Sequence, residues 1–335
     1  MLAIFLKTLP FFALIGLGYF AGRTRFFTAE ATAWLTKFVF YFALSAMLFR
    51  FSATLDLAAL FDANFIAVYL TGSLALWIIS FSIAKFRGEP VVNATMEAHT
   101  SMTGNTGFLG VPMLVVILGE RAVGPILMVL ALDLIVFSSL FTLLVTGARH
   151  GRISLSMMSA LALGLVKNPM IVSMVVGLAW AGFHIPTPAP LMEFVTLLGA
   201  AATPGALFAI GASLADKSAE RVAPAAWLSF AKLVLHPALI LVALMIFPVD
   251  AFAAGVMIAT ASLPVAGNVF MLAQHYNVAP SRVSAAILFS LAALVVLTAM
   301  QVAIAVAHVN GCQYCLSAHT AIGGMHRVSA ANLES

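Results

Sequence analysis

The chain has 335 residues, of which 63% are hydrophobic and only 8% are charged, whereas soluble domains carry about 25% charged residues. This composition excludes a water-soluble domain and predicts an integral membrane protein. The formal net charge is only +4, and no basic run with interleaved aromatic residues is present, so we expect no nucleic-acid partner.

Apolar segments long enough to cross about 30 Å of hydrocarbon recur along the chain. The first runs from Ile4 to Gly22 with no separate basic region, and we interpret it as a retained helix, not a cleaved signal. A loop around His150 to Lys167 is expected to be the longest cytoplasmic connection. The predicted fold is all-α, with ten transmembrane helices at residues 4–22, 32–49, 63–84, 93–118, 122–147, 169–184, 191–215, 225–247, 251–275 and 283–308.

The distribution of basic residues predicts the orientation of these helices. Loops after the odd-numbered helices contain Arg23, Arg25, Lys85, Arg87, Arg149, Arg152, Lys167, Lys217, Arg221 and Arg282. The opposite side has only Lys7, Arg50, Arg121 and Arg327. Because cytoplasmic loops carry the excess of Lys and Arg, the first group is expected in the cytoplasm and both termini on the other side.

Two of the apolar segments are interrupted by glycine and proline beside an asparagine. One break, Gly104–Pro112, lies in predicted helix four, and the other, Ser262–Asn268, lies in predicted helix nine. Unpaired backbone inside a membrane is tolerated only where it lines a cavity or is buried in protein. Breaks at corresponding places in two halves of a chain therefore indicate the substrate site of a transporter.

The two halves of the chain also resemble each other weakly, since Pro10–Gly22 is similar to Pro169–Gly182. A repeat of five helices is odd in number, so the second copy must be inverted in the membrane. We therefore predict inverted repeats at residues 1–150 and 151–310, with the two broken helices crossing near the midplane. Helix N-termini and free N–H groups would face a common cavity there, which favours an anionic substrate.

Four separated motifs resemble those of the auxin efflux carrier family. They are Gly104–Pro112, Lys167-Asn168-Pro169, Ala202–Leu214 and Leu263–Asn277. The resemblance extends over about residues 1–308. It implies ten helices in two inverted repeats, a scaffold part and a transport part, elevator-like alternating access, and a small organic anion as substrate.

The short loops and Gly267-Asn268 are more similar to the bacterial branch of this family, which carries malonate and related acids, than to the plant carriers. This resemblance implies a secondary transporter in the bacterial inner membrane and scaffold-to-scaffold homodimers. In such a membrane, the distribution of basic residues predicts that both termini are periplasmic.

Residues at the two breaks are the candidates for substrate binding. Asn105 and Asn268 could donate amide N–H groups to a carboxylate, or could only satisfy backbone exposed by the break. We favour substrate binding because polar groups inside a membrane are costly. The prolines are expected to shape the crossing without supplying chemistry. The full predicted set is Asn105, Thr106, Gly107, Pro112, Pro264, Gly267 and Asn268.

Three further polar residues are candidates for ion coupling. Asp133, in the middle of helix five, is protonated, paired or a cation site, so a proton or sodium role and a structural role both remain open. Lys232 shares a helix face with His236. It could neutralise substrate charge, pair with Asp133 or snorkel toward the cytoplasm, and snorkelling is the simplest interpretation. His99, near Glu97, is a gating or proton-carrying residue or an ordinary interior histidine.

Enzyme chemistry is not expected in the membrane part of the chain. The first 308 residues contain no phosphate loop, zincin, dinucleotide or Gly-x-Ser-x-Gly motif. We therefore predict a passive or ion-coupled carrier without cofactor or nucleotide domain, with the lipid bilayer and a small organic anion as its partners.

The tail at residues 311–335 is different in kind. Its Cys312-x-x-Cys315-x3-His319 resembles the redox motif of the alkylhydroperoxidase D and carboxymuconolactone decarboxylase family. About 25 residues are too few for an independent domain, so we interpret the tail as a fusion fragment or a small disulfide loop. The alternative is a membrane-tethered thiol peroxidase or thiol sensor. A metal site that includes His326 has spacing that is loose for zinc.

Overall fold

The computed structural model describes residues 2–55, 62–150, 155–215 and 222–293. In these ranges the regular structure is helical, apart from one isolated antiparallel bridge. The tail at 311–335, with Cys312, Cys315 and His319, lies outside the described residues, as does the second half of the last predicted helix.

The helices are labelled here in chain order, and several include a single π-type turn. They are α1 (Leu2–Arg23), α2 (Ala29–Ala53), α3 (Ala63–Phe86), α4 (Val91–Met102), α5 (Thr106–Leu118), α6 (Glu120–Arg149), α7 (Leu155–Lys167), α8 (Pro169–Gly182), α9 (Ala189–Leu214), α10 (Ala223–Leu244), α11 (Ala251–Ala261), α12 (Gly267–His275) and α13 (Pro280–Ala293).

Among the described residues, α2, α3, α6, α9 and α10 are long and apolar enough to cross a membrane. Shorter apolar helices lie at Leu9–Arg23, Thr106–Leu118, Pro169–Gly182, Ala251–Ala261 and Pro280–Ala293. Each of the ten predicted apolar segments overlaps a described helix, and the segments predicted to be broken are each divided into two helices.

Side-chain caps fix where several helices begin. Thr28 accepts a hydrogen bond from the amide of Ala31 before α2, and Asp62 accepts from the first amides of α3. Asn168 accepts from the amide of Met170 at 3.0 Å, with Pro169 as the first residue of α8. These caps satisfy amides that the helix leaves unpaired, which explains the Asn-Pro pair at the start of α8.

The connection at His150 to Lys167 is not the loop that the sequence predicted. Helix α7 occupies Leu155–Lys167, because this run of Leu, Met, Ala and Ser contains mostly good helix formers. Thirteen residues form a helix of about 20 Å, which is too short to cross hydrocarbon. A criterion based on membrane-spanning length therefore overlooked it.

Helices α1, α2, α8 and α9 pack together as a first group. The backbones of α1 and α9 approach closely where glycines face the opposite helix. A Cβ on Gly18 would lie 2.1 Å from the carbonyl oxygen of Phe208, and one on Gly211 would lie 2.0 Å from that of Ile15. Close packing through small residues is a common way for helices to associate in a membrane.

Helices α3, α4, α6, α10 and α11 form a second group, in which α3 contacts α4 and α10, and α6 contacts α4 and α11. Its core contains Tyr69, Met102, Phe137, Ile240 and Met257, all buried. Helix α5 contacts α1 and α9 of the first group and α6 of the second. The two sequence breaks therefore lie beside the boundary between the groups.

Candidate functional site

The two breaks cross and pair with each other through their backbones. The Asn105 amide donates to the carbonyl of Pro264 at 2.8 Å, and the Ala266 amide donates to the carbonyl of Thr103 at 3.1 Å. These bonds form an antiparallel bridge between Gly104 and Val265. Each break thus satisfies backbone groups that the other helix has lost, as a low-dielectric interior requires. The two breaks predicted from the sequence thus lie against each other, while their crossing near the midplane of two inverted repeats stays a prediction.

The start of α5 is held by the residue before it. The carbonyl of Asn105 accepts from the amides of Leu109 and Gly110 at 3.1 and 2.8 Å. A Cβ on Gly110 would lie 2.6 Å from a methyl carbon of Leu263, and one on Gly107 would lie 2.8 Å from the methyl carbon of Met170. These two glycines allow close packing, whereas a Cβ on Gly267 would meet nothing within 4 Å.

The side-chain oxygen atoms of Asn105 and Asn268 do not accept hydrogen bonds from the described part of the breaks. Asn105 is only 4% exposed, and among the described residues the side-chain oxygen atoms of both asparagines have no hydrogen-bond partner. An amide can rotate to present either its oxygen or its NH₂ group. Both alternatives, substrate binding and satisfaction of local backbone by the NH₂ groups, therefore stay open for these side chains. Substrate binding by the predicted set stays a prediction.

Lys232 does not snorkel, and that interpretation is wrong. Its side chain is fully buried. Its ammonium donates to the carbonyl of Ala261, at the end of α11, and lies 3.1 Å from Nδ1 of His236. The last carbonyls of a helix are unpaired and carry partial negative charge, so they attract the ammonium inward. The charge of Lys232 consequently lies beside the crossing.

Asp133 has a partner that the sequence did not identify. The hydroxyl of Tyr69 on α3 donates to Oδ1 of Asp133 at 2.7 Å, while the other carboxylate oxygen is buried without a partner among the described residues. Lys232 interacts with this carboxylate electrostatically. No direct ion pair within 4.0 Å joins the two in the described part of the chain.

His99 is separate from this arrangement. It is 1% exposed, its ring lies 5.0 Å from that of Phe141, and its Nδ1 lies 3.5 Å from the hydroxyl of Thr103. Within the described ranges its Nε2 has no hydrogen-bond partner. A gating or proton-carrying role for His99 stays a prediction.

A buried charge cluster escaped the sequence interpretation. Glu97 on α4 accepts hydrogen bonds from both Arg87 and Arg282, and Glu97 and Arg282 are 0% and 4% exposed. Arg282 is thus more than a loop cation that marks topology, and Asp133 is not the only buried carboxylate. The sequence signal was a glutamate inside an apolar segment, but nothing local indicated that its second partner lies 185 residues away.

Glu89 extends this cluster toward solvent. Arg282 donates to Oε1 of Glu89 at 2.8 Å, and Asn93 donates to its other oxygen at 2.8 Å. Burial raises the pKa of Glu89, but the hydrogen bonds from Asn93 and Arg282, together with nearby arginine charges, hold the pKa below its usual value. Glu89 is therefore ionised over the physiological pH range.

A cavity of about 270 Å³ lies between α5 and the first packing group. Arg50 and Glu120 line it and form a long ion pair of 3.9 Å, with 34% and 83% of their side-chain surfaces exposed. The remaining lining is mostly apolar and reaches the proline of the first break. It includes Phe11, Met47, Phe51, Pro112, Val115 and Thr203.

Comparison with known proteins places this architecture in a family. The profile of the family described as membrane transport protein matches residues 3–302. One relative, "Putative malonate transporter" of Rhizobium meliloti (strain 1021), is 33% identical over 299 residues, which cover 84% of this chain and 89% of the relative. "Uncharacterized transporter YfdV" of Escherichia coli (strain K12) is 27% identical over 277 residues, with coverages of 81% and 87%.

These relatives are transporters, and the match covers nearly the whole chain. The predictions of a transporter and not an enzyme, and of a likeness to auxin efflux carriers, are confirmed by the family match. The chain belongs to the membrane transport protein family and is a multi-pass membrane transporter.

Proposed function

We propose that this protein is a secondary transporter that carries a small carboxylate, such as malonate, across the bacterial inner membrane and binds it at the crossing of the two breaks. The observation that carries this proposal is the position of Lys232. Its buried ammonium lies against the break at Gly104, and the next residue of the break is Asn105, whose side-chain oxygen has no hydrogen-bond partner among the described residues. A positive charge and a free amide beside interrupted helices form a suitable environment for a carboxylate.

Helix N-termini add to the attraction for an anion. Helices α5 and α12 both begin at the crossing, and the first amides of a helix carry partial positive charge toward its N-terminus. Gly267, the first residue of α12, has open space where a Cβ would stand. An anion at this point would meet amide donors without steric hindrance.

The cavity beside Pro112 supports a route to this site. Its volume of about 270 Å³ lies below the usual size of sites for drug-sized ligands, which favours a small metabolite. Arg50 is partly exposed, and its contact with Glu120 is long and weak. A substrate carboxylate can therefore replace Glu120 beside the guanidinium before it moves toward the break.

The two packing groups support transport by an elevator-like movement. The crossing is bonded to the second group, since Lys232 on α10 donates to Ala261 on α11, and it is also bonded to α13, where the Ser290 hydroxyl accepts from the Val265 amide at 3.1 Å. The first group, α1, α2, α8 and α9, would be the stationary scaffold and the homodimer contact. We assign residues 1–150 and 151–310 to the two inverted repeats, and a proton or sodium ion to coupling.

Two long-range contacts support the proposed orientation. Arg87 and Arg282 contact the same glutamate, and Arg149 donates to the carbonyl of Tyr276. These basic residues, all predicted to be cytoplasmic, thus gather at ends of helices that face the same side. Arg50, predicted on the other side, contacts Glu120 instead. Both termini would then be periplasmic.

Binding and uptake by the purified protein test the function. Proteoliposomes would be given radiolabelled malonate and a panel of mono- and dicarboxylates, and the dissociation constant would be measured in detergent. We expect Asn105→Ala to weaken carboxylate binding about tenfold or more, since one donor to a charged group is lost. Asn64→Ala, on an exposed asparagine of α3, is the matched control. Equal binding by both variants, or no carboxylate bound by the wild type, would contradict the proposal.

A further inference from the structure

A continuous series of polar side chains connects the crossing to Asp133. The Lys232 ammonium lies 3.1 Å from Nδ1 of His236, and Nε2 of the same ring lies 2.9 Å from the Ser73 hydroxyl. Tyr69 lies one turn before Ser73 on α3, its ring centre is 5.9 Å from that of His236, and its hydroxyl donates to Asp133 at 2.7 Å. The five residues come from α3, α6 and α10, and all are buried. We call them the Asp133–Lys232 chain.

The charges at the two ends of the Asp133–Lys232 chain differ from the other buried charges. Glu97 and Arg282 are in direct ion pairs, whereas neither Asp133 nor Lys232 has an ion-pair partner within 4.0 Å among the described residues. Each end therefore compensates the other only through the intervening neutral groups. A buried charge that loses its compensation is strongly unfavourable.

We propose that binding of a carboxylate at the crossing is coupled to the uptake of one proton by Asp133, so that the protein is a proton–carboxylate symporter. The inference rests on the proposed function, because it requires the anion to bind beside Lys232. The bound carboxylate neutralises the positive charge of Lys232, so Asp133 loses its compensating charge. Asp133 then binds a proton.

The step balances in charge and in atoms. One O–H bond forms on the Asp133 carboxylate, with the proton supplied by water on the side from which the substrate enters. No electrons are transferred. The one carboxylate group beside Lys232 and the one proton on Asp133 enter together, so their charges cancel within the Asp133–Lys232 chain, and a dicarboxylate such as malonate carries one further negative charge across with it. When the substrate is released on the other side, the ammonium of Lys232 again compensates the Asp133 carboxylate. The proton then leaves Asp133.

The composition of the Asp133–Lys232 chain favours a proton over a metal cation. Hard cations require several oxygen ligands, but here an ammonium and an imidazole occupy one end, and one of the two Asp133 carboxylate oxygens is already bonded to the Tyr69 hydroxyl. In the described part of the chain no three His, Cys, Asp or Glu side chains are grouped as metal ligands.

Other titratable groups near α6 do not form part of this coupling. On α4, Glu97 is neutralised by its two arginines, and the His99 ring packs on Phe141 without a hydrogen bond to the Asp133–Lys232 chain. Helices α5 and α11 contain no titratable side chain. On α3 and α10, the titratable groups that face Asp133 are all members of the Asp133–Lys232 chain.

Proton uptake on substrate binding tests the inference directly. Malonate would be added to the full-length protein in detergent, in weakly buffered solution with a pH indicator, and the bound malonate would be counted in parallel. We expect about one proton taken up per malonate bound. In proteoliposomes, an inward proton gradient should drive accumulation of malonate, and a sodium gradient alone should not.

The Asp133→Asn variant should bind malonate without taking up a proton, and its malonate flux should not depend on the proton gradient. Glu193→Gln, on an exposed carboxylate of α9, is the matched control and should behave as the wild type. Malonate binding without proton uptake by the wild type, or undiminished uptake by Asp133→Asn, would overturn the inference while leaving the proposed function intact. If the variant fails to fold, the wild-type stoichiometry still decides. Failure to bind any carboxylate would instead reject the proposed function.

Discussion

The ammonium of Lys232 lies directly behind Gly104, so closely that a Cβ on this glycine would be 3.2 Å from Nζ. A side chain at position 104 would displace the lysine. The glycine therefore brings a buried positive charge next to the break in the helix. Because Lys232 is on α10 and Gly104 lies between α4 and α5, the contact joins the two halves of the chain at the proposed site.

Replacing Lys232 with methionine removes the charge of the side chain and keeps most of its volume. Methionine is similar in length but uncharged, so we expect Lys232→Met to weaken carboxylate binding at least about tenfold, which corresponds to about 1.4 kcal/mol. Folding stability should fall, since Asp133 loses its compensating charge and the Ala261 carbonyl loses its donor. Isothermal titration with malonate and thermal unfolding in the same detergent measure both effects.

Lys37→Met is the matched control for this substitution. Lys37 lies 4.3 Å from the ring centre of Trp34 on α2, away from the crossing, and its loss should leave malonate affinity unchanged. Unaltered affinity of a folded Lys232→Met variant would remove the lysine from the proposed site.

Glu97→Gln tests the importance of the buried charge cluster. The substitution removes the negative charge between Arg87 and Arg282 and leaves Arg282, which is 4% exposed, with Glu89 alone, and breaking a buried ion pair typically costs about 3–5 kcal/mol. We expect a large fall in the unfolding temperature. By contrast, Glu120→Gln breaks the exposed 3.9 Å pair with Arg50 and should cost at most about 1 kcal/mol. Similar losses in the two variants would show that the buried cluster contributes little to stability.

The sequence was sufficient to predict the crossing because its signals are local. Glycine and proline inside an apolar segment interrupt a helix wherever they occur, and an asparagine beside them marks the break. The breaks at Gly104–Pro112 and Ser262–Asn268 were therefore correctly located, and their pairing followed from their positions in the two halves of the chain.

The partners of the charged residues could not be predicted in this way. Tyr69 and Asp133 are 64 residues apart, and no local pattern in α3 distinguishes a tyrosine that bonds a carboxylate from one that only fills the core. Snorkelling of Lys232 was a reasonable expectation from an isolated helix. It is wrong because the end of α11 supplies a carbonyl acceptor in the protein interior.

Two glycines of α1 provide a test of the first packing group. A Cβ on Gly18 would lie 2.1 Å from the Phe208 carbonyl oxygen, whereas one on Gly16 would meet nothing within 4 Å. We expect Gly18→Ala to destabilise the protein by about 1–3 kcal/mol through overpacking. Gly16→Ala should be neutral or stabilising by up to about 1 kcal/mol, because alanine favours the helix.

The stability of the two variants would be measured as the unfolding temperature and as the amount of folded protein after detergent extraction. Because only one residue separates the two sites on the same helix, membrane insertion and expression are expected to be closely matched. Equal stability of Gly18→Ala and Gly16→Ala would contradict the close approach of α1 and α9.

The orientation proposed from the basic residues can be tested through the two cysteines of the chain, Cys312 and Cys315. With periplasmic termini, the oxidising compartment should join them in a disulfide. A membrane-impermeant thiol reagent should therefore label intact spheroplasts only after mild reduction, and Cys312→Ser should be labelled at Cys315 without reduction. Removal of residues 311–335 should leave malonate uptake unchanged. Labelling that occurs only after lysis of the membrane would place the tail in the reducing cytoplasm, reverse the orientation, and favour the interpretation of the tail as a thiol peroxidase or sensor.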